Sequence, residues 1–116
     1  MSTDPAGPPP LVTSVLPCFN EREHVIEEVE RICAAMDASP HTYELLAIDD
    51  ASTDDTLALL REALPRFPSM RLMPVRRTGG SGTARRIGTL DARGEIVVWT
   101  DADMTYPNER IPEFVR

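Results

Sequence analysis

Four apolar runs, LVTSVLP (11–17), YELLAIDD (43–50), RLMPV (71–75) and EIVVWTD (95–101), alternate with stretches whose apolar residues recur at helical spacing. Strand, helix, strand, helix, strand, helix, strand predicts an α/β fold: a Rossmann-like, mostly parallel sheet with helices on both faces. Right-handed crossovers in such a layer bring the C-terminal ends of the strands to one rim, where ligands bind. Three polar clusters far apart in the chain each follow directly from a strand: PCFNE (17–21), DDASTDD (49–55) and DAD (101–103). The fold is therefore expected to gather them into one crevice.

The connecting segments carry their own punctuation. Residues 21–38 place Val25, Ile26, Val29, Ile32, Cys33 and Met36 on one helical face, with Asn20 as N-cap and Glu23 as its capping-box partner. Ser52 or Thr53 is expected to cap a short helix through Leu64, which Pro65 and Pro68 end. Pro74 points to an edge position or an early stop for the third strand. A glycine turn at 79–82 leads to a helix from Thr83 to Arg93, stopped by Gly94 as a left-handed C-terminal residue. Pro107 is expected to open a last helix. Residues 1–10, rich in Pro and small polar residues, read as a flexible leader, and 11–116 as one domain.

Composition removes several functions. A formal charge of −7 argues against a nucleic-acid partner, which would need clustered basic side chains. The chain has no lysine, so a phosphate-loop lysine and a catalytic lysine are both excluded. No apolar stretch approaches a membrane span and no signal-peptide pattern is present, so the expected compartment is the cytoplasm. Cys18 and Cys33 have neither metal nor redox spacing and read as buried or half-buried thiols. His24 and His41 lack partners at ligand spacing and read as surface residues.

Asp101 and Asp103, one residue apart on an extended backbone, point to the same side. Two carboxylates that close repel unless a cation sits between or beside them, and Mg²⁺ or Mn²⁺ held partly by substrate phosphates is their natural complement. The structural alternative is a solvated strand end with Asp103 as a cap. Asp49 and Asp50 either begin an Asx-type turn or accept hydrogen bonds from a base edge or ribose hydroxyl. Pro17 would end its strand and leave the backbone of Cys18 and Phe19 open to a planar ligand, or make a plain turn. The segment from Gly80 to Gly88 lacks the third glycine of a dinucleotide fingerprint, Arg85 standing there, yet Arg85 or Arg86 could reach a phosphate.

These motifs, in this order, resemble the nucleotide-binding half of a family 2 glycosyltransferase of the GT-A fold. P-x-[FY]-N-E matches Pro17, Phe19, Asn20 and Glu21; D-D-x-S-x-D matches Asp49, Asp50, Ser52 and Asp54. G-x-G-x-A-x-R-x-G matches Gly80, Gly82, Ala84, Arg86 and Gly88, and A-x-G matches Ala92 and Gly94. D-A-D-x-x-x-P matches Asp101, Asp103 and Pro107, and the run to Pro112 is most similar to the dolichyl- and polyprenyl-phosphate sugar transferases. Thr105 and Thr78 depart from that pattern, standing where Gln and Asn are usual.

The resemblance implies inverting transfer of a sugar from a UDP- or GDP-sugar to an acceptor. Pro17, Phe19, Glu21, Asp49, Asp50, Arg86 and Asp101 would bind the nucleotide sugar. Asp103 with Asp101 would hold Mg²⁺ or Mn²⁺. The acceptor could be a lipid phosphate at the inner face of the membrane. Family members are longer, so this chain is expected to be a truncated piece without turnover of its own, any general base lying outside it. The alternative is a non-catalytic nucleotide- or partner-binding domain on the same half-fold, self-associating as a homo-oligomer through exposed edges.

Overall fold

The computed structural model describes residues 8–75, 80–100 and 112, the side chains of 80–85 excepted. Along the chain run β1 (Val12–Cys18), α1 (Val25–Asp37), β2 (Tyr43–Asp50), α2 (Thr56–Ala63), a 3₁₀ turn (Leu64–Arg66), β3 (Met70–Val75), α3 (Gly80–Asp91) and β4 (Ile96–Trp99). The strands form one parallel sheet in the order β3-β2-β1-β4. This is the expected α/β fold. The helix expected from Pro107 lies outside the described residues, as do residues 1–7 of the leader.

Alternation along the strands divides the core between two faces. Val12, Leu16 and Cys18 of β1 and Leu45 and Ala47 of β2 pack with Val25, Val29, Ile32, Cys33 and Met36 of α1 and Leu60 and Ala63 of α2. Val15, Leu46 and Ile48 point the other way, beneath α3. There a Cβ added to Gly88 would lie 2.6 Å from Val15 Cγ1 and 2.7 Å from Ile48 Cδ1, so α3 approaches the sheet at a residue without a side chain. Both faces of β1 and β2 being covered, these strands are continuously apolar at their centres.

Both strand prolines sit where a missing N–H costs no ladder bond. Leu45 N donates to Ser69 O, so the odd-numbered residues of β3 face β2, and Pro74 turns its backbone to the open edge. Thr100 N donates to Val15 O, so the odd-numbered residues of β1 face β4, and Pro17 lies beyond the last β1–β4 pair, Val15 with Trp99. For that reason Pro17 does not end β1, which runs on to Cys18.

Three local expectations are corrected. α1 begins at Val25 with His24 at its N-cap and no side-chain cap, so Asn20 is not its cap. α2 begins at Thr56 with Asp55 at its N-cap, not Ser52 or Thr53. α3 begins at Gly80, taking in two glycines expected in a turn, and ends at Asp91. Gly94 is thus too far beyond α3 to cap it, and its φ is not left-handed; it is glycine because a Cβ would lie 2.6 Å from Thr13 N and 2.7 Å from the Val12 carbonyl carbon.

That close approach belongs to a polar network at the N-terminal end of the sheet. Glu44, 5 % exposed, accepts from Thr13 Oγ1 (2.6 Å), Arg93 N (2.8 Å) and Arg71 Nε (2.8 Å). Arg71 goes on to Asp91 Oδ2 and the Asp91 carbonyl, each at 2.9 Å, while Gly94 N donates to Thr13 Oγ1 at 2.9 Å. One carboxylate therefore ties β1, β2 and β3 to the end of α3 and the entry to β4. Hydrogen bonds satisfy both of its oxygens, as a buried carboxylate requires.

Candidate functional site

The strand order reverses at β1: the chain steps outward from β1 to β2 to β3, then returns past β1 to place β4 on its other side. In open α/β sheets, ligands bind outside the C-terminal strand ends near such a reversal. At this rim the loops after β1 and β2 meet. Phe19, 42 % exposed, projects beside Asn20, and Asp49 and Asp50 close β2 at 2 % exposure each.

Asn20 joins the two loops. Its φ of +51° is left-handed, a region that asparagine tolerates better than most residues. Its Oδ1 accepts from Thr53 N (2.8 Å) and Asp54 N (3.2 Å), and Nδ2 reaches Thr53 Oγ1 at 3.2 Å. The backbone adds two further bonds, Asn20 N to Ser52 Oγ and Glu21 N to Thr56 Oγ1, each 3.0 Å. Asp54 in turn accepts from Thr56 N at 2.9 Å and from the Thr56 hydroxyl. Burial raises the Asp54 pKa, but these bonds, with the N–H and charge of Arg22, outweigh it and hold the carboxyl below its ordinary value. The exposed Arg22–Asp55 pair, at 3.3 Å, adds little.

The paired aspartates diverge. Asp49, by alternation, lies on the α1–α2 side, where its Oδ2 accepts from Ser52 N at 3.3 Å in an Asx-type turn. Its Oδ1 has no partner among the described residues. Burial, then the carboxylates of Asp49 and Glu21, push the neighbouring Cys18 thiol far above its ordinary pKa, so it is inert at neutral pH. Asp50 faces the α3 side with Leu46 and Ile48. Immediately after them Ala51 has φ +57°, which costs an alanine about 1–2 kcal/mol. Ala51→Gly is expected to raise stability by about 0.5 kcal/mol, the relief being partly offset by glycine's freedom in the unfolded chain; chemical denaturation of both proteins measures the difference.

A cleft of about 580 Å³ opens at the ends of β2 and β3, lined by Asp49, Ala51, Ser52, Arg61, Pro74 and Val75. Another of about 490 Å³, lined by Pro8–Pro10, Tyr43, Arg71 and Arg93, lies at the opposite end of the sheet, away from the polar rim. The rim is the better candidate, because there the clusters after β1 and β2 meet.

The structure thus brings together Pro17, Phe19, Glu21, Asp49 and Asp50. Arg86 lies on α3 with its side chain exposed. Asp101 and Asp103 fall outside the described residues. Immediately before them Thr100, fully buried, is pinned to β1: its N–H (2.9 Å) and its hydroxyl (3.0 Å) both donate to Val15 O. Among the described residues no group of three His, Cys, Asp or Glu side chains could hold a metal ion, and no helix is long and apolar enough to cross a membrane. Sequence reasoning missed the joining roles of Asn20, Thr56 and Thr100. Only Asn20 carried a signal, its tolerance of left-handed φ.

Comparison with known proteins follows the same outline. The profile described as Glycosyl transferase family 2 matches residues 13–116. The dodecaprenyl-phosphate galacturonate synthase of Rhizobium johnstonii is 37 % identical over 102 residues, covering 87 % of this chain and 30 % of that protein. The undecaprenyl-phosphate 4-deoxy-4-formamido-L-arabinose transferase of Edwardsiella ictaluri is 36 % identical over 107 residues, covering 90 % of this chain and 33 % of that one. This chain therefore spans about a third of the length of these relatives. Among solved structures, a mannosyltransferase from Pyrobaculum calidifontis in complex with GDP-Man and Mn²⁺ superposes with a TM-score of 0.73 at 28 % identity, over 90 % of this chain and 30 % of its own. S. aureus TarS in complex with UDP shares the fold, with a TM-score of 0.67 at 22 % identity over 80 % of this chain and 27 % of its own.

Proposed function

This chain belongs to glycosyl transferase family 2, and from that premise we propose that it forms the donor-binding part of an inverting glycosyltransferase. The donor is a nucleoside diphosphate sugar, UDP- or GDP-linked, and the acceptor a polyprenyl phosphate presented at the inner face of the membrane. One observation carries the reading: the loops after β1 and β2 are fastened together at the strand-order reversal, with Phe19 exposed between them. The acceptor class is supported by the polyprenyl-phosphate relatives.

In this reading Pro17, Phe19 and Glu21 surround the nucleoside. Asp50 or Asp49, at the end of β2, accepts from the base. Arg86, exposed on α3, is available to a phosphate. Asp101 and Asp103 supply hard oxygen donors of the kind Mg²⁺ or Mn²⁺ prefers, and a divalent cation bound there would neutralise charge on the departing diphosphate. A phosphate monoester acceptor is largely ionised near neutral pH and needs no general base, whereas a sugar hydroxyl would need a carboxylate from outside this chain.

A thermal-shift panel of UDP, GDP and CDP, each with and without Mn²⁺, tests the reading. One nucleotide is expected to stabilise the protein by about 2.7 kcal/mol at a hundredfold excess over its Kd, and more with Mn²⁺ than without. A panel with no shift would overturn it in favour of a non-catalytic, partner-binding domain. That second reading draws on the outer edge of β4, which has no strand partner among the described residues, and on Trp99 and Leu90, 49 % and 82 % exposed.

A further inference from the structure

We propose that Asn20 is a positioning residue that sets nucleotide affinity by holding the loop after β1 in register with the loop after β2. The inference rests on the donor-site reading and adds to it a residue that need not touch the ligand. Phe19 immediately precedes Asn20, and Asp50 lies two residues before Ser52, so the bonds between Asn20 and the 52–54 segment fix how the proposed base-binding groups face each other. The Asn20 carboxamide bridges the two loops through two successive backbone N–H groups of one turn. Without the carboxamide, Thr53 N and Asp54 N lose their acceptor ahead of α2, whose own N-cap makes no side-chain bond. The loops would then sample several separations, and the nucleotide would have to order them on binding.

The geometry separates this role from simple folding support. Asn20→Gly keeps the left-handed φ but removes the carboxamide. Asn20→Asp keeps an acceptor oxygen and tolerates that φ, with the added charge of a carboxylate near Asp54 and Asp55. Ile32→Val, which removes one methyl group from the core beneath α1, is the control for stability lost away from the rim.

The test is calorimetric titration of the intact protein and these three variants with whichever of UDP, GDP or CDP binds wild type in the presence of Mn²⁺, together with amide hydrogen exchange. Asn20→Gly is expected to weaken binding about tenfold, the equivalent of one lost hydrogen bond's coupling. Asn20→Asp should recover affinity to within about threefold of wild type, and Ile32→Val should match wild type. Exchange at Thr53 and Asp54 should quicken in Asn20→Gly while Leu45–Ile48 stay protected. Unchanged affinity in Asn20→Gly despite faster exchange at those two amides would overturn the positioning role alone. Equal losses of affinity in Asn20→Gly and Ile32→Val would reduce Asn20 to general support and also overturn it. Failure of wild type to bind any of the three nucleotides would overturn the donor-site reading and the proposal with it.

Discussion

Glu44→Ala is expected to lower stability by about 3 kcal/mol, read as a lower urea midpoint at unchanged slope. The substitution leaves Thr13 Oγ1, Arg93 N and Arg71 without the carboxylate they share. Arg71 is one-third exposed and keeps Asp91, so its orphaned charge is partly relieved, which sets the figure at the low end for a broken buried pair. The same network makes stability depend on acid. Burial alone would raise the Glu44 pKa, but the hydrogen bonds from Arg71, Thr13 and Arg93, with the charge of Arg71, hold it below its ordinary 4.5. A depressed folded pKa means that the contribution is fully present above the unfolded value and is lost as pH falls through the folded one. Wild type and Glu44→Gln should therefore differ in stability at neutral pH and begin to converge as pH falls below the carboxyl's ordinary 4.5. A difference that stays constant from neutral pH down to about pH 3 would show that the carboxylate's charge is not what the network uses.

Gly94→Ala is expected to cost a similar amount, about 3 kcal/mol, or roughly 10 °C in Tm. A methyl group there meets the backbone of Val12 and Thr13, not a side chain that could turn aside, so the lead into β4 must move away from β1. Such a movement also stretches the Gly94 N–H bond to Thr13 Oγ1 and, further on, the hold of Thr100 on Val15. Gly88→Ala is the informative contrast. Its new Cβ meets side-chain methyl groups of Val15 and Ile48 and not backbone, so its loss in thermal denaturation should be smaller.

Much of the architecture was legible before any coordinates, because period-two and period-3.6 apolar patterns respond to the same burial that the folded core provides. β2 matches its expected span, Tyr43–Asp50, and Pro74 marks an edge strand as expected. Where the reading failed, the competing force was tertiary. Asn20 has the right chemistry for a helix cap, but the 52–54 segment offers it two N–H groups across the rim, and α1 starts later without it. Gly94 looked like a helix stop because glycine is common there, yet the constraint is a backbone contact with residues some eighty positions earlier, a pairing no local pattern records. The adjacent acids at 49 and 50 read as one cluster, but strand alternation sends them to opposite faces.

By itself the sequence determined the class of fold, the rim on which the polar clusters fall, and the family to which the chain belongs, since all three depend on residue order and local periodicity. Only the tertiary structure decided which polar groups are spent on holding the rim and which are left to face a ligand. Hydrogen bonds between Asn20 and the 52–54 segment, or between Glu44 and Arg93, depend on where non-adjacent strands and loops come to rest. That outcome follows from packing two faces of a sheet at once, which no stretch of residues specifies alone.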